Sequence, residues 1–558
     1  MKFGKPIAAR RLVLVQTDKA IPDKKRADVS AVTRDGEQSS MTTAARNGSR
    51  IGERAGRDDP GQPRRAASSA RLPIARKTGY GVGQLVELTV ESTLNIFMLF
   101  YATAVCGLPG ALAGLAIGAG VVVDAIFNPL IGSLSDGWRS RFGRRVPFMA
   151  VSLIPIILLY NLIFALPSGL GTTALFLWLT FLSVSLRIAL SLFTVPYQAL
   201  GAELTEDYTE RSSVAAWRWG MGIFGTVAVI MLGYGVFFAG PDGVSQRSAY
   251  LHLTLTLSLL FLLGALISIR QGLIVRGREA DEADRPGDPI HTRLLGEVAE
   301  LFRNRTFRIL FAASLLFNIQ AGVYQALGLH VVTYFWELTP GQIQTMGMVA
   351  VSGLVLGAPL AGPLGKRLEK RTMLIFSMTA MMICHALPAT LKLIGVLHLT
   401  GNTLVAVLAP MAFLGGMMMA LTIIAFVSII PDAADEHELQ FGIQRQGLYF
   451  AAWSFATKTA TGAGVLIAGI VLQIIDFPSD PAAAGTAAPV SEPAVAWLAF
   501  VHGPGAMALS FTGVLLLLLY RINRRAHADI IAGLAARRRV RSDGRGGGDG
   551  DRKGEEVR

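Results

Sequence analysis

Long apolar runs separated by short charged turns constrain this chain more than any other feature. They fall near 82–105, 109–134, 147–167, 174–200, 214–239, 248–270, 308–335, 343–363, 372–390, 402–430, 447–475 and 494–519. A helix of about 20 apolar residues crosses the hydrocarbon core of a bilayer, and hydrocarbon admits only structures that satisfy every backbone group internally. Such runs predict an all-α polytopic membrane protein. A chain of 558 residues is long enough for several soluble domains, but 52% hydrophobic residues against 16% charged ones exclude that reading.

The charges fall in a pattern. The formal net charge of +13 would suit nucleic acid in a soluble protein. Here the basic residues sit in the tails and in alternate loops, as the positive-inside rule requires, so no nucleic-acid partner is implied. Arg139, Arg141, Arg144 and Arg145 follow the second run, Lys366, Arg367, Lys370 and Arg371 the eighth, and Arg521, Arg524 and Arg525 the twelfth. Both termini are therefore expected on the cytoplasmic side. Cys106 and Cys384 lie in or beside apolar runs and read as packing residues, not as a disulfide.

The chain divides into five parts: a basic cytoplasmic extension at 1–75, six spans at 76–270, a cytoplasmic linker at 271–307, six more spans at 308–520 and a basic tail at 521–558. The extension has no sustained apolar period and is expected to be disordered, with Met41 an alternative start. RLVLV at 11–15 is too short for a signal-peptide core. In the linker, GREADEADRPGDP reads as flexible, and HTRLLGEVAELFRN as an amphipathic helix lying on the membrane. The segment 476–493 is expected as a flexible outward-facing loop, and Arg537–Arg558 as unstructured. Six spans on each side of a linker suggest two bundles that rock about a midplane site.

Asp124 is the strongest single signal. An acid inside an apolar span costs roughly 3 kcal/mol on insertion scales unless paired, hydrated or protonated. Asn128 follows one turn later on the same face. Glu87, Glu91 and Asn95 form an i, i+4, i+8 stripe on the first span, extended by Gln84; Glu87 is nearer the edge, so Glu91 is the better candidate. Two acids on one face can hold a proton or hydrogen-bond sugar hydroxyls. The candidate cationic partners are Arg187, Arg218 and Lys458. Arg187 could pair with Glu91 or Asp124, and the sequence does not choose. Small residues around Lys458 permit close helix approach. On the seventh span Asn318, Tyr324 and Gln325 suit a polyhydroxylated ligand, while His330 lies toward the outer end. Trp217 and Trp219 flank Arg218 and could stack on a sugar ring or pack at the interface. No phosphate loop, dinucleotide fingerprint or spaced Cys/His set is present, so no cofactor and no resident metal are implied. No nucleophile converges with the acids, which argues against an enzyme.

Several segments in order carry a resemblance. YGVG at 80–83, FYATAVCGLPGALAG at 100–114, DAIFNPLIGSLSDGWRSRFGRRVPF at 124–148, VPYQALGAELTEDYTERSSV at 195–214 and SIIPDAADEHELQFGIQRQGLYFAAWSFATKTATGAG at 428–464 resemble the glycoside–pentoside–hexuronide:cation symporters. These are the melibiose-carrier-like branch of the major facilitator superfamily, and the likeness covers about 76–520. It implies the major facilitator fold, with twelve transmembrane helices in two six-helix bundles. It further implies a secondary active transporter importing a sugar, glycoside or uronide, working as a monomer in a bacterial inner membrane.

In that family, acids on the second and fourth helices contribute to a cation site. By motif position Asp124 is retained, Asn128 stands where the sodium-using pattern has Asp, and Thr194 occupies the helix-four acid position. Fewer anionic oxygens remain for a bare cation, so the resemblance here implies proton coupling through Asp124 with help from Glu91, in preference to sodium. Arg218 and Lys458 match basic positions near substrate and cation, and Lys458 could become the counter-ion of Asp124 when the proton leaves. Gln84 replaces an Asp common after YGxG. Asp136, Arg141, Gly143, Arg144 and Arg145 resemble the superfamily's cytoplasmic gate, and Asp432, Asp435, Glu436, Glu438 and Arg445 its second-half counterpart. The remaining alternatives are an uncoupled facilitator and a carrier of a non-sugar amphiphile or lipid-like solute. A mostly apolar cavity would favour the amphiphile.

Overall fold

The computed structural model describes residues 72–205, 207–240, 243–275, 300–478 and 490–546. The chain divides into Met1–Ala67 and Ser68–Arg558. The first unit lies outside the described residues, as do most of the expected linker, the core of the outward loop and the last residues of the tail.

The second unit is helical throughout its described length. Helices α1 (Ile74–Gly81), α2 (Gln84–Thr93), α3 (Gly110–Gly137), α4 (Val146–Ile163), α5 (Thr172–Glu203), α6 (Tyr208–Leu232) and α7 (Arg247–Val275) make the N-terminal half. Helices α8 (Arg305–His330), α9 (Pro340–Arg367), α10 (Lys370–Leu393), α11 (Gly401–Phe441), α12 (Gln446–Ile474), α13 (Glu492–Phe500), α14 (Ala506–Leu517) and α15 (Arg524–Gly546) make the rest. Among the described residues eleven helices are long and apolar enough to cross a membrane.

The first apolar run is the exception, because it is not one uninterrupted helix. It breaks at Val82–Gly83 and then widens into π-helical turns at Leu94–Met98 and Tyr101–Val105. Glycine is a poor helix former, and Gly81 and Gly83 flank the break, packed against Trp217 and Ser268. One of the π turns carries Asn95, and such turns are frequent at functional sites.

The two halves pack alike. In the first, α2 lies on α6 and α7, α5 joins α3 to α4, and α4 lies on α7. In the second, α8 lies on α12 and α14, α11 joins α9 to α10, and α10 lies on α14. Each half is thus a six-span bundle of the same plan. Val151, Ile154 and Leu158 on α4 and Leu259, Leu263 and Leu266 on α7 are exposed apolar stripes. In a bilayer they meet lipid chains instead of water, which removes the cost of leaving them unpacked.

The bundles meet unevenly. Gly110, Gly114 and Gly118 recur every fourth residue on α3 and lie against Gly462, Val465 and Gly469 of α12, so close that a side chain on α3 would strike the facing backbone. Thr103 and His330 hydrogen-bond across the same end at 2.9 Å, and the amide of Ala111 donates to Gln473. At the other end, where the basic loops lie, a Cβ added at Gly137 would meet nothing within 4 Å, and Trp138 and Phe142 beside it are exposed. One apolar cluster runs through the N-terminal bundle and across into the far half of the C-terminal bundle, while the basic half of the C-terminal bundle has a separate core. The molecule is closed at the far end and parted at the basic end.

Two glycines fix the turns at the basic end. Gly143 has φ 87° in the turn between α3 and α4, and Gly442 has φ 78° as the residue that stops α11, both in the left-handed region that favours glycine. α11 has 41 residues, a length of about 60 Å, so its end projects well past a bilayer core. The tail departs from expectation: Arg537–Gly546 continues α15 instead of being unstructured. Ile530 and Leu534, one turn apart, are buried in the core of the basic half, and Arg524 donates to the terminal carbonyls of Gly365, Lys366 and Leu368. Those contacts anchor the helix that the charge-rich composition hid.

Candidate functional site

A cavity of about 280 Å³ lies between the bundles. The first span contributes Glu87, Glu91 and Asn95 to its wall, α3 contributes Asp124 and α5 contributes Arg187. From the other bundle come Asn318 and Gln325 on α8, and Thr457, Lys458 and Thr461 on α12. Eight of the residues singled out in the sequence therefore line one space.

Two ion pairs organise it. Arg187 is 4% exposed and donates to Glu91, so the choice left open in the sequence falls on Glu91. Both belong to the N-terminal bundle. Lys458 donates to Asp124, joining the two bundles. Ser191, one turn beyond Arg187 on α5, donates to Asp124 at 2.5 Å and lies 2.9 Å from the carbonyl of Arg187. Its single proton serves both acceptors. The environments of the bridging pair differ: the Asp124 side chain is 7% exposed and that of Lys458 37%. The lysine side chain thus lies nearer the opening than the carboxylate it holds. The position follows from the glycine packing: Asp124 lies six residues past Gly118 on α3 and Lys458 four residues before Gly462 on α12, so the Gly118–Gly462 contact brings the two side chains within reach.

Glu87 lies at the basic side of the cavity and accepts from Gln84 at 2.8 Å and from Gln198 at 3.3 Å. Asn318 donates to the carbonyl of Ser314 at 2.8 Å, leaving its oxygen for a solute. Gln325 is exposed to the cavity.

Other expected residues lie outside this chamber. Gln84 is 3% exposed and braces Glu87 from behind. Asn128 has a buried side-chain oxygen with no protein partner, and Thr194 is buried on α5. Arg218 lies beside the stacked rings of Tyr80 and Tyr197, while the backbone of Trp217 packs on Gly81. Trp219 is 55% exposed. Tyr324 turns into a second chamber of about 340 Å³, where its ring stacks between those of His385 and His502. This chamber is largely apolar, and it shares Asn95 and Gln325 with the first.

At the basic end the two halves again match. Arg145 pairs with Asp136 at 2.5 Å and with Glu203 at 3.3 Å, and Arg144 pairs with Glu203 at 2.8 Å. Arg141 lies over the ring of Phe142. In the second half Lys370 pairs with Asp432 at 2.8 Å. His527 of α15 approaches Asp435 at 3.3 Å, and Arg538 reaches Glu438 at 3.1 Å. Arg445 meets Glu300 at 3.8 Å, and Glu436 keeps one buried oxygen with no partner. In each half a base at the start of one helix, α4 or α10, holds an acid near the end of the next, α5 or α11.

Sequence reasoning missed Ser191, Thr457, Thr461, Glu203 and His527. Ser191 and Thr461 were legible in principle, at one turn from Arg187 and at i+3 from Lys458. Among the described residues no three His, Cys, Asp or Glu side chains form a metal site.

A family model described as MFS/sugar transport protein matches residues 79–524. The Synechocystis protein named Uncharacterized symporter sll1374 is 24% identical over 549 residues, covering 84% of this chain and 98% of that one. The mouse protein named Sphingosine-1-phosphate transporter MFSD2B is 24% identical over 497 residues, covering 86% of this chain and 95% of that one. Among solved structures, the nucleoside transporter NupG superposes with a TM-score of 0.54 at 14% identity, over 79% of this chain and 98% of that one, a likeness of fold.

Proposed function

This chain belongs to the MFS/sugar transport protein family, and on that premise we propose that it imports a sugar, glycoside or uronide by alternating access, driven by protons. That it is a multi-pass transporter with the major facilitator fold is established by the family match and the architecture together. The solute and the coupling ion are the proposal.

The observation that carries it is the cavity in which one ion pair stays within a bundle and the other crosses between bundles. A polyhydroxylated ligand finds carboxylates, amides and hydroxyls there: Glu87, Asn95, Asn318, Gln325 and Thr461. Arg187 holds Glu91 as an anionic acceptor without leaving either charge bare. With both termini cytoplasmic, the parted end faces the cytoplasm, and the closed glycine contact faces outward.

Coupling follows from the pair that crosses. With Asp124 ionised, Lys458 ties α3 to α12. A proton on Asp124 cancels the attraction and frees the ammonium toward the opening, so the bundles can part at the far end. Returning to the inward-open arrangement and losing the proton to the cytoplasm restores the pair. Arg144, Arg145 and Lys370, with their acids, hold the helix ends rigid within each bundle as the halves rock. Sodium suits the site less well, since the two best-placed carboxylates already have cationic partners and the expected second and third acids are Asn128 and Thr194.

The test is uptake into proteoliposomes of labelled glycosides and uronides, with inward proton and sodium gradients applied separately. Proton-driven accumulation supports the reading. Sodium-driven accumulation overturns the coupling assignment, and no uptake of either class by folded protein overturns the solute.

A second reading, transport of a non-sugar amphiphile, has its own observation in the apolar chamber beside the polar one. The mouse relative, named for a sphingolipid phosphate, lends it weight.

A further inference from the structure

We infer that the apolar chamber is a subsite for the hydrocarbon part of an amphiphilic solute whose polar head occupies the Asp124–Arg187 chamber. This rests on the transport reading above and narrows its substrate class: a hydrophilic head joined to an alkyl or aryl group, not a free sugar.

The two chambers adjoin: Asn95 and Gln325 stand in the wall of both, so a solute that turns these two amide side chains aside reaches from one into the other. Beyond those two amides the lining changes character. Tyr234, Val332, Trp336, Met346 and Met411 replace the charged pairs. At about 280 and about 340 Å³, each chamber is near the lower end of the small-molecule range, roughly 300–1,000 Å³. A single solute spanning both would thus place its head among ionic groups and its remainder among hydrocarbon.

Other occupants fit less well. Water needs two to four polar partners to be held in a cavity, and most of this lining offers none. A lipid chain from the bilayer would enter between α6 and α9. At that seam Gln344 reaches the sulfur of Met231 and Gly347 packs on Ile230, contacts that an entering lipid chain would have to part. Flexible methionines are suited to taking hydrocarbons of varied shape.

Gly328 gives direct access to the question. It lines this chamber, and a side chain added there would meet nothing within 4 Å. Gly328→Phe therefore starts its side chain in open space at the wall of this chamber and takes up part of its volume.

The experiment measures dissociation constants by calorimetry for the full chain in lipid nanodiscs, as wild type and Gly328→Phe. The probes are three matched pairs: methyl and hexyl glucoside, methyl and hexyl glucuronide, phosphocholine and hexylphosphocholine. In at least one pair the hexyl member should bind wild type tenfold or more tightly than its short partner, about what burying a few methylenes yields. Gly328→Phe should erase that gain and leave the short partner's affinity nearly unchanged. Ala412→Leu, which fills the chamber from α11, should do the same if Gly328→Phe does not fold.

A gain of equal size in wild type and both variants would place the chain elsewhere and overturn the proposal, as would no gain in any pair. Failure of the two readings is separable. Binding of the short sugars with no hexyl gain sinks the subsite and spares the sugar. A variant-sensitive gain confined to the phosphocholine pair sinks the sugar and spares the subsite.

Discussion

Glu91–Arg187 and Asp124–Lys458 line the same cavity, yet they do different mechanical work. The first joins α2 to α5 inside one bundle, and no rocking motion changes its length. Arg187 is the more deeply buried partner, with its side chain 5% exposed against 26% for Glu91. The second joins α3 to α12 across the seam, with its carboxylate buried and its lysine side chain nearer the opening. A pair that stays within a rigid body sets shape and field. Only a pair that crosses the seam can report which way the molecule faces, and only there does a proton change the balance between states.

The largest effect expected from that difference is on coupling. Asp124→Asn keeps the size and one hydrogen-bond acceptor for Ser191, but it cannot carry a proton in and out. Gradient-driven accumulation in proteoliposomes should fall by about 100-fold or more, and its dependence on external pH should flatten, while exchange of solute at equal concentrations survives. Glu91→Gln should instead weaken binding by roughly tenfold, the scale of one charge-assisted hydrogen bond, and leave accumulation tied to the proton gradient. If Glu91→Gln uncouples as Asp124→Asn does, the division of labour between the two pairs is wrong.

How much of this was legible in the sequence divides along a physical line. The apolar runs, the polar stripe on the first span and the isolated Asp124 could be read because hydrocarbon imposes its cost on each span separately. Most of those residues do converge. Pairings could not be read, since Arg187 is near mid-span and its choice of Glu91 depends on how α2 and α5 are rotated against each other. The second chamber was equally hidden. It is built from the π-helical turn at Leu94–Met98 and from α6, α8, α9, α10 and α11, each supplying apolar residues that look like ordinary packing, and Tyr324 turns into it because His385 and His502 hold its ring. The tail helix escaped for a different reason: two apolar residues, Ile530 and Leu534, outweigh a charged surrounding once a neighbouring core receives them.

Stability offers a second way to sharpen the contrast. Arg187→Met leaves Glu91 without its cation inside the cavity wall. A fully buried pair broken this way costs about 3–5 kcal/mol, and the partial exposure of Glu91 brings the expectation to roughly 2 kcal/mol. Adding Glu91→Gln should recover most of that loss, since no uncompensated charge then remains. The corresponding double change, Asp124→Asn with Lys458→Met, should cost less, because the lysine side chain is already partly exposed, and it should not restore coupling. Thermal unfolding in nanodiscs measures the first half of this statement and proton-driven uptake the second. Equal stability losses for the two double changes, Arg187→Met with Glu91→Gln and Lys458→Met with Asp124→Asn, would remove the distinction between a structural pair and a mobile one.

The smallest effect concerns the seam itself, and it tests whether the glycines of α3 set the conformational balance. At Gly114 an added side chain would lie 3.0 Å from the Cα of Gly469 and the carbonyl of Val465, whereas at Gly137 it would meet nothing. Gly114→Val therefore presses α3 from α12 at the closed end, and overpacking of this kind costs about 1–3 kcal/mol. Part of that strain can be relieved by moving to the state in which this end is open. Gly137→Val, on the same helix at the parted end, is a surface change worth within about 0.5 kcal/mol. A cysteine introduced at Ala111, beside Gln473 on α12, supplies the readout through its labelling rate with a water-soluble maleimide. The rate should rise several-fold in the Gly114→Val background and stay unchanged with Gly137→Val, an asymmetry expected only if close backbone contact, not side-chain chemistry, holds the far end shut.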